Sequence, residues 1–124
     1  MLAGQAILIV ETEFLIALEI ERCLETFGAS RTVFARSTRE ALASAQNWSC
    51  FGVALVEVHP NHDEDLALLR GLQQAGVKLV VMASDSAARH SFDGNPAAPV
   101  IIKPFSEDDL ASAISRALAT GQNE

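Results

Sequence analysis

Four short apolar runs in this chain end on residues that carry charge or a hydroxyl. Ala6-Ile7-Leu8-Ile9-Val10 is followed by Glu11 and Thr12, and Phe51-Gly52-Val53-Ala54-Leu55-Val56 by Glu57. Leu79-Val80-Val81-Met82-Ala83 is followed by Ser84, and Val100-Ile101-Ile102 by Lys103-Pro104-Phe105. Paired carboxylates could hold a metal ion, and an ammonium beside a carboxylate makes a charge-assisted hydrogen bond. If the runs are parallel strands of one sheet, their carboxyl ends lie side by side. Glu11, Thr12, Glu57, Ser84 and Lys103 then converge on one crevice, at the edge where open α/β sheets bind and react.

The rest of the chain supplies the elements that such a crevice requires. Strand and helix signals alternate five times, which predicts a parallel sheet with helices on both faces. Strands are expected at Ala6 to Val10, about Arg31 to Ala35, Phe51 to Glu57, Val77 to Ala83 and Val100 to Ile102. Four of them are near-continuous apolar runs, as strands covered on both faces should be. Ile16, Ile20, Cys23, Leu24 and Phe27 recur at helical spacing, with Gly28 placed as a stop. Ser37 with Glu40 is a capping-box pattern for a second helix running to about Asn47. A third helix is expected from Asp63 to a stop at Gly76, and a last one behind the Ser106 and Asp109 pair, with Leu110, Ala113, Ile114, Ala117 and Leu118 on one face. Between Ser84 and Pro99 the sequence is broken by Gly94, Asn95, Pro96 and Pro99, so the fourth helix is expected to be weak, at most a turn around Ser86 to His90.

Size and charge limit the function classes. The chain has 124 residues, 49% of them hydrophobic, which suits one packed domain over 1–124 without room for an output domain. Nine basic against sixteen acidic residues give a net charge of −7, which disfavours contact with nucleic acid. No run reaches the roughly 18 apolar residues of a membrane span, and no secretory signal opens the chain, so a cytoplasmic location is expected. Cys23 and Cys50 read as free, buried thiols rather than a disulfide.

Three segments together resemble the receiver domain of two-component response regulators, over nearly the whole chain. They are Ile7-Leu8-Ile9-Val10-Glu11-Thr12-Glu13 with the helix after it, Glu57 at the end of its apolar run, and Ile101-Ile102-Lys103-Pro104-Phe105. The resemblance implies a flavodoxin-like, doubly wound sheet in three layers with strand order 2-1-3-4-5. It places Glu57 at the phospho-acceptor position, Glu11 and Thr12 at the acidic pair, Ser84 and Lys103 at the phosphoryl contacts, and Val100 at the aromatic switch position. Glu57 stands where the family uses aspartate, Thr12 where it uses a second carboxylate, and Val100 where it uses an aromatic ring.

Those departures weaken the family's chemistry. Magnesium needs close oxygen ligands in near-octahedral geometry, and with Thr12 neutral only Glu11 and Glu57 remain as weak candidates. No cofactor or metal is expected, and Mg²⁺ affinity should be low. The longer Glu57 carboxylate finds its natural partner in Lys103, with Ser84 as a third member, which implies a permanent internal link and signalling without aspartyl phosphorylation. Expected partners are a sensor kinase, a phosphotransfer protein or another regulator, meeting the first and last helices; a homodimer is also compatible. An inefficiently phosphorylated or metal-binding receiver is the nearest alternative, and a small flavodoxin-like enzyme or ligand-binding module the alternative of another class. An enzyme is not expected, because neither a nucleophile elbow nor a glycine-rich phosphate loop is present.

Plainer readings exist for several of these residues. Thr12 and Ser84 are also good N-caps. His59 and His62 with Asp63 suggest zinc, but no other His or Cys pattern completes a site. Asp63, Glu64 and Asp65 read as the capping, dipole-favouring start of the third helix, and His90 as a surface residue.

Overall fold

The computed structural model describes residues 2–59, 62–84 and 98–120. Its strands are β1 (Ala6–Val10), β2 (Arg31–Ala35), β3 (Phe51–Glu57), β4 (Lys78–Ala83) and β5 (Val100–Ile102). All pair in parallel, in the order β2-β1-β3-β4-β5. The helices are α1 (Phe14–Thr26), α2 (Thr38–Ala43), α3 (Asp63–Gln74) and α4 (Glu107–Thr120), with a 3-10 helix (Ala45–Cys50) after α2. The expected fourth helix and His90 lie outside the described residues.

Alternation along the strands divides the core between the two sheet faces. Leu8, Val10, Ala54, Val56, Leu79 and Val81 face one side, where Trp48, Leu68 and Leu72 cover them. Ile7, Ile9, Val53, Leu55, Val80 and Met82 face the other, under α1 and α4 through Ile20, Leu24, Leu110 and Ile114. Each such Leu, Ile, Val or Met side chain is worth about 1.5–3 kcal/mol when fully buried, so the central strands anchor the crevice at their ends. No helix among the described residues is long and apolar enough to cross a membrane.

Local signals mostly act as expected. Gly28 and Gly76 end α1 and α3 with positive φ of 97° and 85°, where a side chain would be strained. At α4 the capping box is reciprocal: Asp109 N–H donates to Ser106 Oγ, and Ser106 N–H to Asp109 Oδ2, both at 3.0 Å. At α2, Ser37 Oγ accepts from Glu40 N–H, but the Glu40 carboxylate reaches back to Arg36 N–H instead of closing the box on Ser37.

Three expectations are corrected. α2 stops at Ala43 rather than near Asn47, because Ser44 folds its N–H and hydroxyl back to the Ala41 carbonyl and the Trp48 indole N–H takes the same acceptor at 3.0 Å. That competition for one carbonyl turns the helix into the 3-10 segment. Of the two free thiols, Cys23 is buried, but Cys50 is exposed because it ends that segment at the surface. β4 begins at Lys78 rather than Val77, whose N–H bonds back to Leu72 as part of the α3 stop.

Candidate functional site

Register determines which side chains meet. Val10 pairs with Val56 and Glu57 with Met82, so Glu11 and Glu57 come off adjacent central strands at nearly the same level. Met82 in turn pairs with Ile101. Ser84 and Lys103 are therefore each two residues beyond that level, roughly 6.6 Å further along the strands. A lysine stem spans that gap, and a serine does not.

The Lys103 side chain, 10% exposed, lies between the two carboxylates. Its Nζ donates to Glu57 Oε2 at 2.5 Å and to Glu11 Oε1 at 2.7 Å. Glu57 Oε1 accepts from the Thr12 hydroxyl at 2.8 Å and from Thr12 N–H at 3.3 Å. Glu11 Oε1 also accepts from Glu13 N–H at 3.3 Å, while Glu11 Oε2 is buried with no hydrogen-bond partner among the described residues.

Thr12 is not the cap of α1. Glu13 holds that position without a side-chain cap bond, and the Thr12 hydroxyl points across to Glu57 instead. A charge-assisted bond to a buried carboxylate outweighs a neutral cap. Ser84 is exposed, and among the described residues it contributes no hydrogen bond to Glu57 or Lys103. Val100 opens β5, half-buried against the core, where branching at Cβ leaves it little rotamer range.

The three charges titrate unequally. Burial pushes the Glu57 carboxyl up, but the hydrogen bonds from Lys103 and Thr12 outweigh it and hold the group below its ordinary value of 4.5. Burial also pushes Glu11 up, the Glu57 charge adds to it, and the Lys103 bond does not compensate, so Glu11 stands above 4.5. Burial lowers Lys103, but bonds to both carboxylates raise it above 10.5. Glu57 therefore contributes stability that is present above 4.5 and lost as the pH falls through its own lower value. Lys103 contributes stability that is present below 10.5 and lost as the pH rises through its higher value. Glu11 acts in the opposite sense to Glu57, since the folded chain takes up its proton first. Carboxyl ¹³C NMR is expected to place the Glu11 midpoint above 4.5 and the Glu57 midpoint below it, as two coupled steps. The reverse order would mean that Lys103 serves Glu11 in preference to Glu57.

Glu11, Glu13 and Glu57 bring carboxylate oxygens within 4.8 Å of one another, an acidic group that could hold a cation, but two of the three are already engaged by the lysine. The donor set thus does not fit the magnesium ion of conventional receivers. Glu11 and Glu57 each commit an oxygen to Lys103, and Thr12 directs its O–H to Glu57 instead of offering a carboxylate to an ion. An ammonium already supplies the positive charge that the ion would bring.

A second group of side chains adjoins this site. His59, His62 and Asp65 come within 4.8 Å of one another. Among the described residues no other His or Cys joins the histidine pair, but Asp65, expected to cap α3, does. The N-cap of α3 is His62, without a side-chain cap bond. Asp65 is buried and accepts from Thr38 Oγ1 at 2.6 Å and from His59 N–H at 2.8 Å. The i, i+3 spacing of His62 and Asp65 on one helical face was the available signal; the contact with Thr38 had none.

No protein-family model matches the sequence, and no curated protein matches it significantly. Solved structures do match in fold. A response regulator receiver protein from Sinorhizobium medicae superposes with a TM-score of 0.79 at 18% identity, over 96% of this chain and 98% of that one. A response regulator from Thermotoga maritima gives 0.76 at 19%, over 94% and 98%. The Vibrio cholerae chemotaxis protein CheY4 gives 0.74 at 20%, over 94% and 100%. With five parallel strands in the same order and charged side chains gathered at their carboxyl ends, the fold of this chain is that of the response-regulator receiver domains.

Proposed function

We propose that this chain is a degenerate receiver that takes part in two-component signalling through protein contacts and without aspartyl phosphorylation. The observation that carries this reading is the saturation of Glu57. One carboxylate oxygen accepts from Thr12 and the other from Lys103, so the residue at the acceptor position already has internal partners. Glutamate also sets its carboxylate one carbon further into the crevice than aspartate would. A displacement on the order of 1 Å costs roughly a hundredfold in rate, and no second carboxylate stands at Thr12 to help hold a metal-bound donor.

The internal Lys103 contact replaces the charge pairing that a phosphoryl group would make, and Val100 replaces a swinging ring with a stiff side chain. Such a domain acts by occupying a docking surface of a sensor kinase, a phosphotransfer protein or another regulator. Support for a protein partner falls on α1, where Phe14 and Leu15 are 65% and 79% exposed. α4 presents acidic residues such as Glu107 and Asp108 in its first turn.

Intact mass after incubation with a small-molecule phosphodonor and Mg²⁺ tests the proposal. The native chain is expected to stay unmodified, while Glu57→Asp combined with Thr12→Asp gains one phosphoryl group, and Glu57→Asp alone gains less. Phosphorylation of Glu57 in the native chain would overturn the reading. Failure of the double variant would show that Glu57 and Thr12 are not what disables the crevice.

A further inference from the structure

We propose that His59, His62 and Asp65 form a binding site for a divalent transition-metal ion of the zinc class, adjoining the Glu57 crevice and independent of the functional reading above. The sequence spacing is His-x-x-His-x-x-Asp. It starts two residues after Glu57, with His62 at the N-cap and Asp65 in the first turn of α3.

Geometry supports a shared ion. The ligand atoms of the three residues all lie within 4.8 Å of one another. His59 Nδ1 and Asp65 Oδ2 are 3.3 Å apart, which matches the edge of about 3.3 Å in a tetrahedron built on metal–ligand bonds of 2.0–2.1 Å. Without an ion the same pair is a hydrogen bond, which holds the imidazole and the carboxylate at the spacing that two ligands of one ion require. His62 is exposed, so a change of rotamer closes the rest.

The carboxylate is held as metal ligands usually are. The Asp65 side chain is 4% exposed. Thr38 Oγ1 donates to Oδ1 and His59 N–H to Oδ2, which fixes the plane of the carboxylate while leaving a lone pair of Oδ2 toward the imidazoles. The three residues line an open cleft of 470 Å³ that also contains Asp63 and Glu64. The three acids of the cleft outnumber its Arg39, which stands 3.7 Å from Glu64, so the remaining negative charge favours a cation, and the open side leaves a fourth position for water. Two imidazoles and one carboxylate select zinc and its transition-metal neighbours over magnesium and calcium, which take all-oxygen sets. An ion here would fix His59, whose Nε2 is 3.9 Å from Glu57 Oε1, and so link metal supply to the crevice.

The test uses the untagged full chain, freed of metal with a chelator and titrated with Zn²⁺ against a chromophoric competitor, with Co²⁺ absorption as a second readout. One ion per chain is expected, with the intense visible bands of tetrahedral Co²⁺ and amide shifts centred on His59, His62 and Asp65. His62→Ala, an exposed substitution, and His59→Ala should each weaken binding by at least about tenfold. Cys50→Ser should leave it unchanged and so exclude the exposed thiol. Circular dichroism and amide spectra verify that each variant is folded. Absence of saturable Zn²⁺ binding, or an affinity unmoved by His62→Ala in a folded variant, would overturn the proposal.

Discussion

Lys103→Met is expected to destabilise the protein by about 3–5 kcal/mol, the usual cost of removing one partner from a buried ion pair. The ammonium stands between two carboxylates, both on nearly inaccessible side chains. Methionine retains most of the stem and its packing, so the loss reports charge rather than volume. What remains is a pair of buried like charges, of which Glu57 keeps only the Thr12 donors. Urea unfolding at neutral pH measures the change, and a double-mutant cycle isolates the pair. Glu57→Gln in the Lys103→Met background should recover part of the loss, because it removes one of the two uncompensated charges. Additivity of the two substitutions would show that Lys103 and Glu57 are not energetically coupled. Acidification should act as a milder version of the same rescue, as Glu11, whose carboxyl stands above its ordinary value, takes up its proton first.

Trp48→Ala should cost a similar amount, about 3–5 kcal/mol for truncation of a large buried aromatic side chain. Trp48 is the only tryptophan in the chain and is 7% exposed. Its indole N–H donates to the Ala41 carbonyl in α2, and its ring lies against Gly71 of α3. The side chain therefore supports the α2–α3 pair that brings Thr38 to Asp65. A Cβ built on Gly71 would come 2.6 Å from Trp48 Cζ3, so Gly71→Ala should overpack the site by about 1–3 kcal/mol. In the double variant the added methyl enters the space that the indole leaves. The combined loss should therefore be smaller than the sum. Because the substitution removes the intrinsic fluorophore, far-UV circular dichroism in denaturant is the suitable probe. A loss for Trp48→Ala below about 1 kcal/mol would mean that the neighbours collapse into the cavity.

Most of the architecture was legible in the residue pattern. Each apolar run is a strand because period-2 side chains of Ile, Leu and Val suit a sheet covered on both faces, and four strands have the expected bounds. Ser106 with Asp109, and Gly28 and Gly76 at the helix ends, act within a few residues of themselves, so local spacing was enough to read them. The convergence of Glu11, Glu57 and Lys103 was also legible, since parallel strands with helical crossovers place their carboxyl ends together.

Local patterning specified the elements and the edge on which the charged residues lie, whereas long-range packing selected which of those residues touch. Ser84 and Lys103 follow their strands alike, yet the register sets both two residues past Glu57, and only the longer side chain reaches back. Thr12 had a local role open to it as a cap and a distant one as a donor, and the burial of Glu57 selected the distant one. Asp65 carried every local mark of a helix-start acid, but the packing of α2 beside α3 brought Thr38 to it, and the end of β3 brought His59. A buried carboxylate must find donors wherever the folded chain supplies them, and those donors come from segments far apart in sequence.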